Sequence, residues 1–241
     1  VKSILLNTED NYGISAWFIE KSKTKAVIIV YGIRSNRLMN INRAKLYLKN
    51  GFSVILPDLR GTGQSDGDKV TLGWHERKDI KACYKFLKSN GFTYIGAHGQ
   101  SLGGAAIVYS LKNNMNYDFL VLESVYDNIY NAFKNRTRKF YLPQFLYYPI
   151  FFFAELELKV KASQLSPEYH IRNYTNHLLM LAGDSESQLK LNETKNFFNN
   201  CKSKQKKLYI FNGGKHEDFF IKFKHKYKKI LQEYINSLNL K

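Results

Sequence analysis

At 241 residues and 44% hydrophobic composition, the chain is the size of one domain and holds enough apolar material for a large core, which excludes a disordered protein. Its two cysteines, Cys83 and Cys201, lack C-x-x-C or metal-ligand spacing and read as ordinary thiols, so nothing in them asks for a zinc module or an oxidising compartment. The formal charge of +17 can attract anionic lipid, nucleic acid or acidic substrates, but no nucleic-acid motif accompanies it, and no specific nucleic-acid partner is expected.

In chain order, residues 3–7 and 14–20 read as an opening antiparallel pair of strands with a turn near Asn11 to Gly13. Ala26 to Tyr31 is a continuous β-branched run, suited to a central strand covered on both faces. The polar loop Gly32-Ile33-Arg34-Ser35-Asn36-Arg37 follows. Next comes a helix with apolar positions near Leu38, Ile41, Ala44 and Leu48, stopped by Asn50-Gly51. Phe52 to Leu56 is the next strand, and Asp58-Leu59-Arg60-Gly61-Thr62-Gly63-Gln64-Ser65 is a turn-rich loop. A helix from about His75 presents Ile80, Cys83, Tyr84 and Leu87 on one face and ends at Asn90-Gly91.

Thr93 to Ala97 leads into Gly99-Gln100-Ser101-Leu102-Gly103, a strand, sharp turn and helix with a serine at the apex, the context of a nucleophile elbow. A turn this tight crowds the serine's neighbours, so the positions two before and two after it must be nearly free of side chain, as Gly99 and Gly103 are. Phe119 to Leu122 is a further strand. From 126 to 170 the alternation stops in favour of Tyr130, Phe133, Phe140, Tyr141, Phe145, Tyr147, Tyr148 and Phe151 to Phe153, broken by Pro143 and Pro149. Aromatics without a strand period suggest helices over the sheet. They are open to three readings: a cap walling an apolar pocket, plain packing, or a weak contact with an anionic membrane surface.

The core pattern resumes with a strand at Leu178 to Ala182, the loop Gly183-Asp184-Ser185-Glu186, a helix to Asn200, and a strand at Lys207 to Phe211. The loop Asn212-Gly213-Gly214-Lys215-His216 precedes a long amphipathic helix bearing Phe219, Phe220, Phe223, Tyr227, Ile230, Leu231, Tyr234 and Leu238 opposite a lysine face. Strands alternating with helices predict an α/β fold with a mostly parallel doubly wound sheet, residues 1–125 and 171–241 forming the core and 126–170 the cap insert of a single domain.

A serine hydroxyl needs a base, and the base a carboxylate; the sequence offers them in the order Ser, acid, His. His216 follows the last strand in a Gly-rich loop, whereas His75, His98, His170, His177 and His225 fall on helices, strands or the insert, or directly before the elbow. Over nearly its whole length the chain resembles the α/β-hydrolase superfamily, most closely uncharacterised serine hydrolases of the esterase and acyl-peptidase-like branch. The resemblance lies in the Gly32 loop, Asp58 to Ser65, the Ser101 elbow, the insert, and the Gly183 and His216 loops. It implies Ser101, His216 and Glu186 as a catalytic triad, since the family acid stands three residues after the glycine closing its strand, with Asp184 as the alternative acid. It further implies an oxyanion hole from the backbone N–H groups of Ile33 and Leu102; where the family commonly has His-Gly before that loop residue, this chain has Tyr31-Gly32.

The expected activity is that of a cofactor-free serine esterase or thioesterase acting on a small-molecule substrate with an apolar acyl group. An oligopeptidase or acyltransferase using the same triad, or a non-catalytic protein holding a lipid or partner under its lid, is the alternative. Arg34 and Arg37 either orient an acidic substrate or are solvated. A dehalogenase would want a carboxylate at Ser101, and no His/Asp/Cys cluster suggests a metal. Without an apolar run of roughly 18 residues or a signal-peptide pattern, the expectation is a soluble chain, cytoplasmic by default; as it begins with Val1, export or anchoring through a removed segment stays open. Oligomeric state is not legible in the residues.

Overall fold

The computed structural model describes residues 1–113, 115–216 and 218–238. Eight strands form one sheet: β1 (Lys2–Asn7), β2 (Gly13–Ile19), β3 (Lys25–Val30), β4 (Ser53–Pro57), β5 (Tyr94–Gln100), β6 (Phe119–Glu123), β7 (His177–Gly183) and β8 (Lys206–Phe211), in the spatial order β1-β2-β4-β3-β5-β6-β7-β8. β1 pairs antiparallel with β2 and β2 with β4, while every other pair is parallel. The opening hairpin is thus the antiparallel margin of a parallel sheet, as its alternating sequence predicts.

The β-branched run of β3 shows why the middle of the sheet is buried twice over. Ala26, Ile28 and Val30 enter one core with residues of α2 (Arg77–Ser89) and α3 (Leu102–Ser110), while Val27 and Ile29 enter a second beneath α1 (Ile41–Lys49) and α9 (Lys224–Ser237). Alternate side chains of a strand point to opposite faces, so a strand covered on both sides must be apolar throughout. α3 is small-residue and entirely buried, its Gly-Gly-Ala-Ala stretch letting it lie close on the sheet.

Two helices depart from expectation. The segment starting near Leu38 opens as a short 3-10 turn over Arg37–Asn40, and Leu38 is exposed; of the expected apolar positions Ala44 is buried, and Arg43 and Tyr47 complete the buried stripe of α1. The long C-terminal helix is two pieces, α8 (Phe219–Lys222) and α9, separated at Phe223 with φ −118° and ψ 40°. Phe219 in α8 and Phe223 at the break both stack on Phe211, at 4.7 and 4.9 Å between ring centres.

Residues 126–170 contain α4 (Ile129–Thr137), α5 (Tyr147–Leu158), α6 (Pro167–His170) and short 3-10 turns. α7 (Leu191–Asn200) lies between β7 and β8. Cys83 and Cys201 are free, buried thiols.

Candidate active site

The carboxyl ends of β3, β5, β6, β7 and β8 converge on one rim, where ligands bind in sheets of this kind. Ser101 stands between β5 and α3 with φ 47° and ψ −114°, a backbone state costly for a residue with a side chain. It is held there from both sides. Its N–H donates to the Glu123 carbonyl at 2.8 Å, and its own carbonyl accepts from Ala105 N at 3.0 Å. A Cβ on Gly99 would lie 2.5 Å from Gly104 N, and one on Gly103 would lie 2.4 Å from the Tyr31 carbonyl, so the steric demand read from the sequence holds at both positions.

Ser101 Oγ lies 3.2 Å from His216 Nε2, and His216 Nδ1 lies 2.7 Å from Glu186 Oε2. The second carboxylate oxygen of Glu186 accepts from Gly183 N and from Ser124 Oγ, each at 2.8 Å, which leaves Oε2 to the imidazole. Asp184 goes elsewhere: its Oδ1 accepts from Gly213 N at 2.8 Å and from Ser185 Oγ at 2.9 Å. The structure therefore brings together the three residues implied by the resemblance and makes the alternative acid a brace between loops. Ser124, also at φ 47°, was missed in the sequence; the available signal was its place directly after a buried strand neighbouring the elbow.

Gly32 lies against the serine, since a Cβ there would sit 3.4 Å from Ser101 Cβ, and Ile33 follows at the rim. Leu102 is the first residue of α3, so its N–H has no intrahelical acceptor. An open cleft of about 1450 Å³ surrounds Ser101, His216, Glu186 and Ile33, with Arg34, Arg136 and Phe140 among its other walls. Arg34 is exposed and reaches this cleft. Arg37 does not: it is buried, paired with Asp58 at 2.9 Å and Gln64 at 2.7 Å, and lies over the Trp17 ring, so the expectation of a substrate-orienting or solvated residue fails there.

A second polar cluster lies immediately behind the elbow. Arg43 is buried in α1 and holds Glu123 at 2.8 Å and Asp218 at 2.9 Å. His98 Nε2 meets Glu123 Oε1 at 2.5 Å, and His98 Nδ1 meets Tyr47 Oη at 3.0 Å; Tyr227 Oη also donates to Glu123. Burial opposes ionisation of Glu123, but the Arg43 charge and the His98 hydrogen bond outweigh it and hold the carboxyl well below the usual range. Burial also pushes His98 down, so its ring stays neutral. Among the described residues no group of three His, Cys, Asp or Glu side chains could hold a metal ion.

A mostly parallel eight-stranded sheet flanked by helices, with a strained serine between a strand and the next helix, defines the α/β-hydrolase fold. The chain belongs to the prolyl oligopeptidase family, Peptidase_S9, whose profile matches residues 39–236, and is thus a serine hydrolase of ester or peptide substrates. YqkD, an uncharacterised protein of Bacillus subtilis (strain 168), is 27% identical over 235 residues, covering 95% of this chain and 77% of its own length. The Pyrococcus furiosus esterase Pf2001 superposes with a TM-score of 0.80 at 23% identity, over 98% of this chain and 92% of that one. A monoacylglycerol lipase of Paleococcus ferrophilus gives 0.70 at 16% identity, over 94% and 99%. At such identities these two structures speak for the fold alone.

Proposed function

We propose that this protein hydrolyses carboxylic esters or thioesters of small molecules through an acyl-enzyme at Ser101, without a cofactor. The observation on which this rests is the hydrogen-bonded line from Ser101 Oγ to His216 Nε2 at 3.2 Å and from His216 Nδ1 to Glu186 at 2.7 Å. With Nδ1–H donated to the carboxylate, the Nε2 lone pair faces the hydroxyl. Ser101 attacks the acyl carbonyl, His216 takes its proton, and the Ile33 and Leu102 amides receive the negative charge on the carbonyl oxygen. His216 then protonates the departing alcohol or thiol, and water, activated by the same imidazole, releases the acid. Glu186 keeps the ring in the required tautomer and stabilises the imidazolium. Residues 126–170 serve as the cap, Phe140 and Tyr141 supplying apolar wall for the acyl group. Labelling by a fluorophosphonate probe, lost in Ser101→Ala, is the expected result; wild-type protein that resists the probe would sink the proposal.

The family match favours a second reading in which the same residues cleave a peptide bond. Rates on p-nitrophenyl esters against peptide anilides separate the two, and a chain-length series of esters then sizes the acyl pocket.

A further inference from the structure

α5 is apolar nearly all round, yet none of its residues is buried. Tyr147 and Phe151, four apart and so on one face, pack on α4: Phe133 lies 5.1 Å from Tyr147 and 5.2 Å from Phe151, and Tyr130 4.8 Å from Phe151, between ring centres. A neighbouring, outward face carries Tyr148, Phe152 and Leu156, again at four-residue intervals, with Phe153 beside them; all are exposed, Tyr148 by 81%. Phe140 and Tyr141, exposed by 69% and 91%, also line the cleft around Ser101, so exposed apolar side chains occur both along this helix and at the mouth of the site. Large apolar side chains exposed in succession along one helix face mark an interaction site rather than ordinary single exposure.

The charge around it selects the occupant. Between Lys134 and Lys161 the sequence has six Lys or Arg against two Glu, of which Glu157 pairs with Lys69 and Glu155 accepts from Ala162 N. Lys134, Arg138, Lys159 and Lys161 are exposed. Two copies each with a formal charge of +17 repel, whereas an anionic lipid surface attracts the same lysines while its acyl region takes up the aromatics. α5 has 12 residues, too short to cross a bilayer, and among the described residues no helix is long and apolar enough to do so. It suits a helix lying in the interfacial plane.

We infer that the outer face of α5 docks the protein on an anionic phospholipid surface, turning the mouth of the cleft toward the membrane. Delivery of an acyl substrate from the bilayer rests on the hydrolase proposal above; docking does not. Ser101→Ala therefore binds vesicles as the wild type does, and a failure of one idea is distinguishable from a failure of the other.

The experiment is co-sedimentation with phosphatidylglycerol and with phosphatidylcholine vesicles, alongside sedimentation velocity without lipid. The wild type is expected to bind phosphatidylglycerol, and to bind less as salt shortens the screening length. Phe152→Ser combined with Leu156→Ser weakens binding at least about tenfold, since both side chains forfeit apolar burial. Lys159→Glu combined with Lys161→Glu does likewise. Both double variants retain the wild-type melting temperature and turnover of p-nitrophenyl acetate, neither pair lying in the cleft. Three results overturn the inference: no binding of phosphatidylglycerol by the wild type, binding undiminished by the apolar pair, or a wild-type dimer that the apolar pair dissociates.

Discussion

Among the described residues, two histidine–glutamate pairs stand near neighbouring strand ends. His216 meets Glu186 at 2.7 Å with 19% of its side chain exposed, while His98 meets Glu123 at 2.5 Å with 1% exposed. The backbone joins them, because β5 carries His98 and ends one residue before Ser101, and β6 ends in Glu123 followed by Ser124, which holds Glu186. In the open pair only one imidazole nitrogen is taken by a carboxylate, and the other faces a hydroxyl at the cleft. In the sealed pair both nitrogens are taken, and the carboxylate is already claimed by Arg43. An imidazole beside a carboxylate is therefore not yet a base; what matters is which partner is left for the second nitrogen and whether substrate can arrive.

The sharpest break of this contrast is Ser101→Ala, expected to lower ester turnover by about 10⁴ to 10⁶-fold with little change in stability. Next is Glu186→Gln, expected to cost about 10⁴-fold in kcat by upsetting the tautomer, while Asp184→Asn stays within a few-fold. If Asp184→Asn proved the more damaging, the acid would be misassigned. In the sealed pair the readout inverts. Arg43→Met leaves Glu123 and Asp218 without their cation and should cost about 3–5 kcal/mol of stability, read as a fall in Tm of about 6–20 °C, with activity per folded molecule retained. The smallest effect is the pH dependence of Tm. Glu123 has a depressed folded pKa, so its contribution is complete above the ordinary glutamate range and fades as pH falls through and below that range. His98 acts in the same direction, because below about pH 6.5 the unfolded chain gains a proton that the buried ring refuses. The readout is the difference between two curves: from pH 7 to pH 4 the wild type should lose more Tm than Glu123→Gln, chiefly in the lower part of that range.

The open site was legible because its parts announce themselves locally. Gly99 and Gly103 frame Ser101, and glycines in short polar loops precede Glu186 and His216, so position in the strand–helix alternation was enough. The sealed cluster was not, since Arg43 bonds to residues 80 and 175 positions away and no local pattern sets it apart from a solvated helix arginine. Its one clue was a shared face with Tyr47, four residues on. The break at Phe223 was hidden because the apolar period runs unbroken through it. The aromatics of 126–170 correctly suggested helices, but composition could not tell that Phe152 and Leu156 face outward while Phe151 faces in.

The brace formed by Asp184 has a consequence for motion. With Gly213 N on Asp184, Ser185 N on the Gly214 carbonyl and Asp184 N on the Phe211 carbonyl, the segments bearing Glu186 and His216 are laced together by short-range bonds. They would travel as one body. Breathing of the rim would then leave the imidazole and its carboxylate in step and alter only their joint distance from the serine, so a single coordinate would govern whether the nucleophile is armed.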